Sequence, residues 1–126
     1  MSALEHKTIL VADDDPDMLT MVVDALQSLG AAITQVSDGQ KALDEALKSK
    51  PHLMVLDVMM PHMSGWEVCR AVREEESLEN TKVLMLTGIG ERLNDLTSPL
   101  YGADDHLDKP FDINALCDKA RSLLSE

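Results

Sequence analysis

Five short strand-forming runs recur along the chain, each followed by a stretch with helical apolar spacing, and this alternation leaves few folds open. The runs are Thr8-Ile9-Leu10-Val11-Ala12, Ala32-Ile33-Thr34-Gln35-Val36, Leu53-Met54-Val55-Leu56, Val83-Leu84-Met85-Leu86 and Asp105-His106-Leu107-Asp108. Strand then helix, repeated, predicts an α/β fold with crossover helices covering a parallel sheet. The first, third and fourth runs are continuously apolar, as strands buried on both faces must be. The second and fifth are shorter or mixed, which suits sheet edges. The strand order 2-1-3-4-5 meets both constraints, in a doubly wound five-stranded parallel sheet with five helices on two faces.

The helical stretches carry their own start signals. In the first, Leu19, Val22, Val23 and Leu26 share a face after Asp15-Pro16, a capping residue followed by a proline in the first turn. The second sets Ala42, Leu43, Ala46 and Leu47 on one stripe. The third opens with Ser64-Gly65-Trp66-Glu67, a capping box, and turns Val68, Cys69 and Val72 inward. The fourth keeps Leu93, Leu96 and Leu100 at helical spacing but is interrupted by Pro99, which lacks the N–H that should bond back to Asp95. The fifth aligns Ile113, Leu116, Cys117, Ala120, Leu123 and Leu124.

A chain of 126 residues with no evident linker or repeat reads as one domain, 1–126, large enough for a real core. No segment reaches the length of a membrane span and residues 1–7 have no apolar signal region, so cytoplasmic residence and no membrane partner are the default expectation. A formal charge of −12 opposes direct binding to nucleic acid or an anionic bilayer. The two cysteines, Cys69 and Cys117, fall on helix core faces and read as buried thiols. Met59, Met60 and Met63 read as packing, the glutamates at 74–76 as a solvated helix end, and His6, His52 and His62 receive no chemistry.

The chemistry gathers at one edge. Strand one runs into Asp13-Asp14, strand three into Asp57, strand four into Thr87 and strand five into Lys109-Pro110. In an open parallel sheet the crevice outside the carboxyl ends of the strands is where ligands bind, at the reversal of winding between strands one and three. A run such as Asp13-Asp14-Asp15 is also what a solvated helix cap looks like. Several carboxylates drawn together repel unless a cation neutralises them, and an oxygen donor set of this kind suits Mg²⁺ better than zinc or copper. With a hydroxyl and an ammonium beside it, such a site can neutralise a phosphoryl group in transfer.

Asp13-Asp14, Asp57 with Met60-Pro61 and Gly65 following, Thr87, Gly102-Ala103-Asp104 and Lys109-Pro110-Phe111 together resemble the receiver domain of two-component response regulators, a flavodoxin-like fold. The resemblance implies that Asp57 takes a phosphoryl group from a sensor histidine kinase or a histidine phosphotransfer protein. It implies Mg²⁺ held by Asp14, Asp57 and the backbone carbonyl of Met59, with Asp13 acting mainly through water. Thr87 and Lys109 would contact the phosphoryl oxygens, and the Lys109-Pro110 bond would be cis. Met59 and Ile89 occupy the positions that tune hydrolysis in the family. On strand five, His106 stands where many receivers carry a rotating tyrosine or phenylalanine, so Thr87 and His106 form the expected switch. The face made by the fourth helix, strand five and the fifth helix would then signal to a downstream protein or output domain.

Two other classes stay open at this level. A haloacid-dehalogenase-type phosphatase needs a second acid two residues beyond the nucleophile, where this chain has Met59. A pseudo-receiver, an interaction module that works without phosphorylation, usually lacks one of the acids, the hydroxyl or the lysine, and none is missing here. Lys109 could also be only an ion-pair partner of the acids, and Thr87 a strand-end hydroxyl bonded to backbone. The chain reads as a signalling module and not an enzyme, either stand-alone or part of a longer regulator.

Overall fold

The computed structural model describes Leu4 and residues 6–88 and 103–125. Five parallel strands, β1 (Thr8–Ala12), β2 (Ala32–Val36), β3 (Leu53–Asp57), β4 (Lys82–Thr87) and β5 (Asp105–Asp108), lie in the order β2-β1-β3-β4-β5. Four α-helices are described: α1 (Pro16–Gln27), α2 (Gly39–Ser49), α3 (Gly65–Arg73) and α4 (Ile113–Leu124). The last corresponds to the fifth helical stretch of the sequence. The fourth stretch, with Leu93, Leu96, Pro99 and Leu100, lies outside the described residues, as do Ile89 and Gly102.

Alternation along the central strands divides the core in two, because successive side chains of a strand point to opposite faces. Ile9, Val11, Leu53, Val55, Leu84 and Leu86 pack against α1 and α4, through Leu19, Val22, Val23, Leu26, Leu116, Ala120, Leu123 and Leu124. Leu10, Ala12, Met54, Leu56, Val83 and Met85 pack against α2 and α3, through Ala42, Ala46, Val68, Cys69 and Val72. Each large aliphatic side chain sealed in this way contributes about 1.5–3 kcal/mol. The edge strands are covered less, and in β2 only Ile33 and Val36 are half-buried, the other three residues being exposed.

Side chains cap three of the helices at their amino ends. Asp15 accepts from the backbone of Asp17 and Met18, Asp38 from Lys41, and Ser64 and Glu67 close a reciprocal box. The apolar stripes are wider than the buried contact. Leu47 and Ile113 lie at the exposed flanks of α2 and α4, and Cys117 is half-buried with its thiol donating to the Ala25 carbonyl at 3.4 Å. Beyond α3 a single 3-10 turn, Glu76–Leu78, drops Leu78 into the core, so part of the glutamate run serves to seat a buried leucine.

Candidate functional site

The site lies where β1 and β3 end side by side. Ala12 pairs with Leu56, so the residues that follow, Asp13 and Asp57, leave neighbouring strands at the same level. Both are buried while Asp14 is exposed, and one carboxylate oxygen from each of the three acids lies within 4.8 Å of the others. Asp13 is braced from below, its Oδ1 accepting from the Asp15 backbone at 3.0 Å, while its Oδ2 is buried without a hydrogen-bond partner.

Burial is the main force on Asp13, pushing its pKa up to about 6 from an ordinary 3.8. The negative charges of Asp57 and Asp14 push the same way, against the Asp15 N–H and the Lys109 ammonium. Lys109 Nζ bonds Asp57 Oδ1, bringing a cation from β5 across to β3. The Lys109-Pro110 peptide is cis, and Lys109 N donates to the Thr87 carbonyl at 2.6 Å, fixing the lysine backbone to the end of β4.

Thr87 is fully buried, and its hydroxyl donates to Asp108 Oδ1 at 2.7 Å. His106 is half-buried, with Nε2 4.0 Å from Asp108 Oδ1 and a buried Nδ1 that has no hydrogen-bond partner. Met59 is well exposed, whereas Met60 and Met63 pack on the core beside α3, so packing accounts for two of these three methionines. The loop beneath is held tightly. Gly65 N donates to the Val58 carbonyl at 2.9 Å, and a Cβ added at Gly65 would collide with the Asp57 carbonyl and lie 2.7 Å from Met85 Cε. His62, in the same loop, has φ 71°, in the left-handed region.

These residues offer hard oxygen donors around an unpartnered buried carboxylate oxygen, the chemistry of a small divalent cation site. Cys69 belongs to no such set. It is buried, and burial pushes its thiol up to about 11, so it is un-ionised core.

Comparison with known proteins gives the class. The model of the response regulator receiver domain matches residues 9–121, and the chain belongs to that family. It is 37% identical over 116 residues to the DNA-binding dual master transcriptional regulator RpaA of Synechocystis, a match covering 92% of this chain and 48% of the relative. The chain spans about half the length of the curated relatives it matches. A putative response regulator from Chloroflexus aurantiacus superposes with a TM-score of 0.87 at 28% identity, over 95% of this chain and 98% of that one. The receiver domain of a sensor histidine kinase from Pseudomonas aeruginosa superposes with a TM-score of 0.86 at 25% identity, over 95% of this chain and 98% of its own. In that neighbour a magnesium ion is coordinated in the active-site cleft. The protein is therefore a receiver domain of the two-component response regulator family.

The structure brings Asp13, Asp14, Asp57 and Lys109 together, and sets Thr87 and His106 around Asp108. Asp108 is the residue that sequence reasoning passed over. Its signal lay in the strand ends, since β4 finishes at Thr87 and β5 at Asp108, register partners in a parallel pair.

Proposed function

We propose that this receiver accepts a phosphoryl group on Asp57 from a phosphohistidine of a sensor histidine kinase or phosphotransfer protein. The observation that carries the proposal is the set of three carboxylates converging within 4.8 Å, with the Lys109 ammonium bonded to Asp57. In the transfer an Asp57 carboxylate oxygen forms a bond to phosphorus, the phosphorus–nitrogen bond breaks, and the electron pair leaves with the imidazole. The Lys109 ammonium neutralises charge gathering on the equatorial oxygens, and the Thr87 hydroxyl donates to one of them.

Asp13, Asp14, Asp57 and the Met59 backbone carbonyl would hold Mg²⁺, a role that the unpartnered Asp13 Oδ2 supports. When bound, the ion supplies positive charge for the phosphoryl oxygens. The chain's own residues do the positioning: the Asp15 N–H orients Asp13, Gly65 lets α3 close on the Asp57 carbonyl, and the Thr87 carbonyl anchors Lys109.

Thr87 and His106 would then relay the state of Asp57 to the surface around β5, for a downstream protein or an output domain. Among the described residues no helix is long and apolar enough to cross a membrane. The net charge of −12 favours contact with protein over direct contact with nucleic acid.

The test is incubation with Mg²⁺ and acetyl phosphate. A hydroxylamine-labile phosphoryl group confined to Asp57 and absent from Asp57→Asn is the expected result. No labelling, with the fold intact, would instead leave an interaction module that works without phosphorylation.

A further inference from the structure

A threonine hydroxyl has one proton to give, and in this structure Thr87 has already given it. Thr87 and Asp108 occupy the last rung of the β4–β5 pair. Side chains of register partners project from the same face of a parallel pair, and Oγ1 meets Asp108 Oδ1 at 2.7 Å, a charge-assisted bond. The phosphoryl oxygens on Asp57 would draw on that same proton. We infer that Asp108 is a positioning residue that competes with the phosphoryl group for the Thr87 hydroxyl, and so sets how readily the switch turns over.

This rests on the proposed phosphoryl chemistry at Asp57, and it goes beyond it by adding a restraint from outside the site. Two consecutive residues of one strand end pull in opposite directions. Lys109 already stands at Asp57, where its charge would meet the phosphoryl oxygens, while Asp108 withholds the donor that the same state recruits. A phosphoryl group can shift the equilibrium only by its differential contacts. Breaking the Thr87–Asp108 bond is charged against that difference. The Asp108 side chain is 52% exposed, so once released its carboxylate can be taken up by water, and its removal does not open the core.

The test is a double-mutant cycle read by beryllofluoride affinity in the presence of Mg²⁺, followed through the fluorescence of Trp66, the single tryptophan. Removing an acid near an anion site tightens anion binding through charge alone, and the cycle separates that effect from the restraint. Asp108→Ala should tighten beryllofluoride binding about tenfold with Thr87 present and no more than about twofold in Thr87→Ala, consistent with the usual strength of a charge-assisted bond. Asp108→Asn, which keeps a weaker acceptor, should fall between. In the metal-free protein, Asp108→Ala should release the Thr87 side chain into rotamer averaging, visible in its methyl carbon couplings. Equal tightening in both threonine backgrounds, or an unchanged Thr87 rotamer, overturns the restraint while leaving Asp57 as acceptor. Failure of the parent protein to bind beryllofluoride at all overturns both.

Discussion

At the amino ends of the strands polar groups close on one another, whereas at the carboxyl ends like charges are held face to face. At the amino ends Thr81 Oγ1 donates to the Pro51 carbonyl at 2.7 Å, and Thr8 and His52 exchange backbone and side-chain bonds between β1 and β3. Asp104 Oδ2 accepts from both Val83 N and Arg73 Nη2 at 2.7 Å, while Arg73 Nη1 reaches the Thr81 carbonyl at 2.9 Å. At the carboxyl ends Asp13 keeps a buried oxygen unpartnered beside Asp14 and Asp57. One end of the sheet satisfies its polar groups, and the other, despite the Lys109–Asp57 and Thr87–Asp108 bonds, leaves a buried carboxylate oxygen unsatisfied among like charges.

The sharpest way to break this contrast is at Asp104. Its removal leaves a strand N–H and a guanidinium short of an acceptor, so Asp104→Ala should cost about 2 kcal/mol in urea unfolding, with Mg²⁺ affinity unchanged. A comparable loss of metal binding would mean the two ends are coupled.

Asp13 should show the opposite sign. Its folded-state pKa is raised to about 6 from 3.8, so the fold favours the protonated form. The stability it contributes is complete below the unfolded value and is lost as pH rises through about 6. Metal-free protein should therefore lose on the order of 2 kcal/mol from this group between pH 4 and pH 7. Asp13→Asn should flatten that segment of the profile in pH-dependent urea melts, and its stability at neutral pH should match or exceed the parent's. A steeper loss in the variant would show that the carboxylate is satisfied where it stands.

Magnesium should relieve the same repulsion. At about ten times its dissociation constant it should stabilise the fold by about 1.4 kcal/mol, a rise of roughly 3–6 °C in Tm by scanning calorimetry. Asp14→Ala should abolish the rise. An undiminished response in that variant places the metal elsewhere.

The smallest effect belongs to His52, which accepts the Thr8 N–H at Nδ1 and must be neutral to do so. Partial burial first, and then the charges of Lys7 and His6, hold its pKa below the ordinary 6.5. The unfolded chain therefore takes the proton more readily, and the contribution present above the ordinary range is lost as pH falls. Solvent screening at this exposed position keeps the change within about 0.5 kcal/mol. Compared with His52→Gln, the parent should weaken slightly between pH 7 and pH 5, and no difference would sever this pair from stability.

The contrast between the two ends also marks what the sequence disclosed. Strands sealed on both faces must be apolar throughout, so β1 was legible residue by residue, β3 gained only Asp57 at its end, and β4 gained Lys82 at its start and Thr87 at its end. The acids were legible because each stands at the end of such a run, and Lys109 because it follows the mixed edge strand β5 directly before a proline. The Asp104 hub and the Thr8–His52 exchange were not, since they join residues 21 to 44 positions apart whose meeting depends on register. Asp108 was hidden for the same reason, its partner being Thr87 on the neighbouring strand. The apolar stripes of α2 and α4 run wider than their buried faces, because spacing says which residues share a face but not where that face leaves the core, as Leu47 and Ile113 show.

The loop between β3 and α3 bears on how this chain can vary. At position 65 the Asp57 carbonyl occupies the space a side chain would need, so every alternative to glycine displaces β3 or the helix above it. At position 62 a histidine holds φ 71°, a conformation glycine or asparagine adopts at less cost. Three residues apart, one position has no room to drift and the other is short of its optimum. A library randomised across this loop should return glycine alone at 65 and move away from histidine at 62, and sequence variation in the loop should be read with that asymmetry in mind.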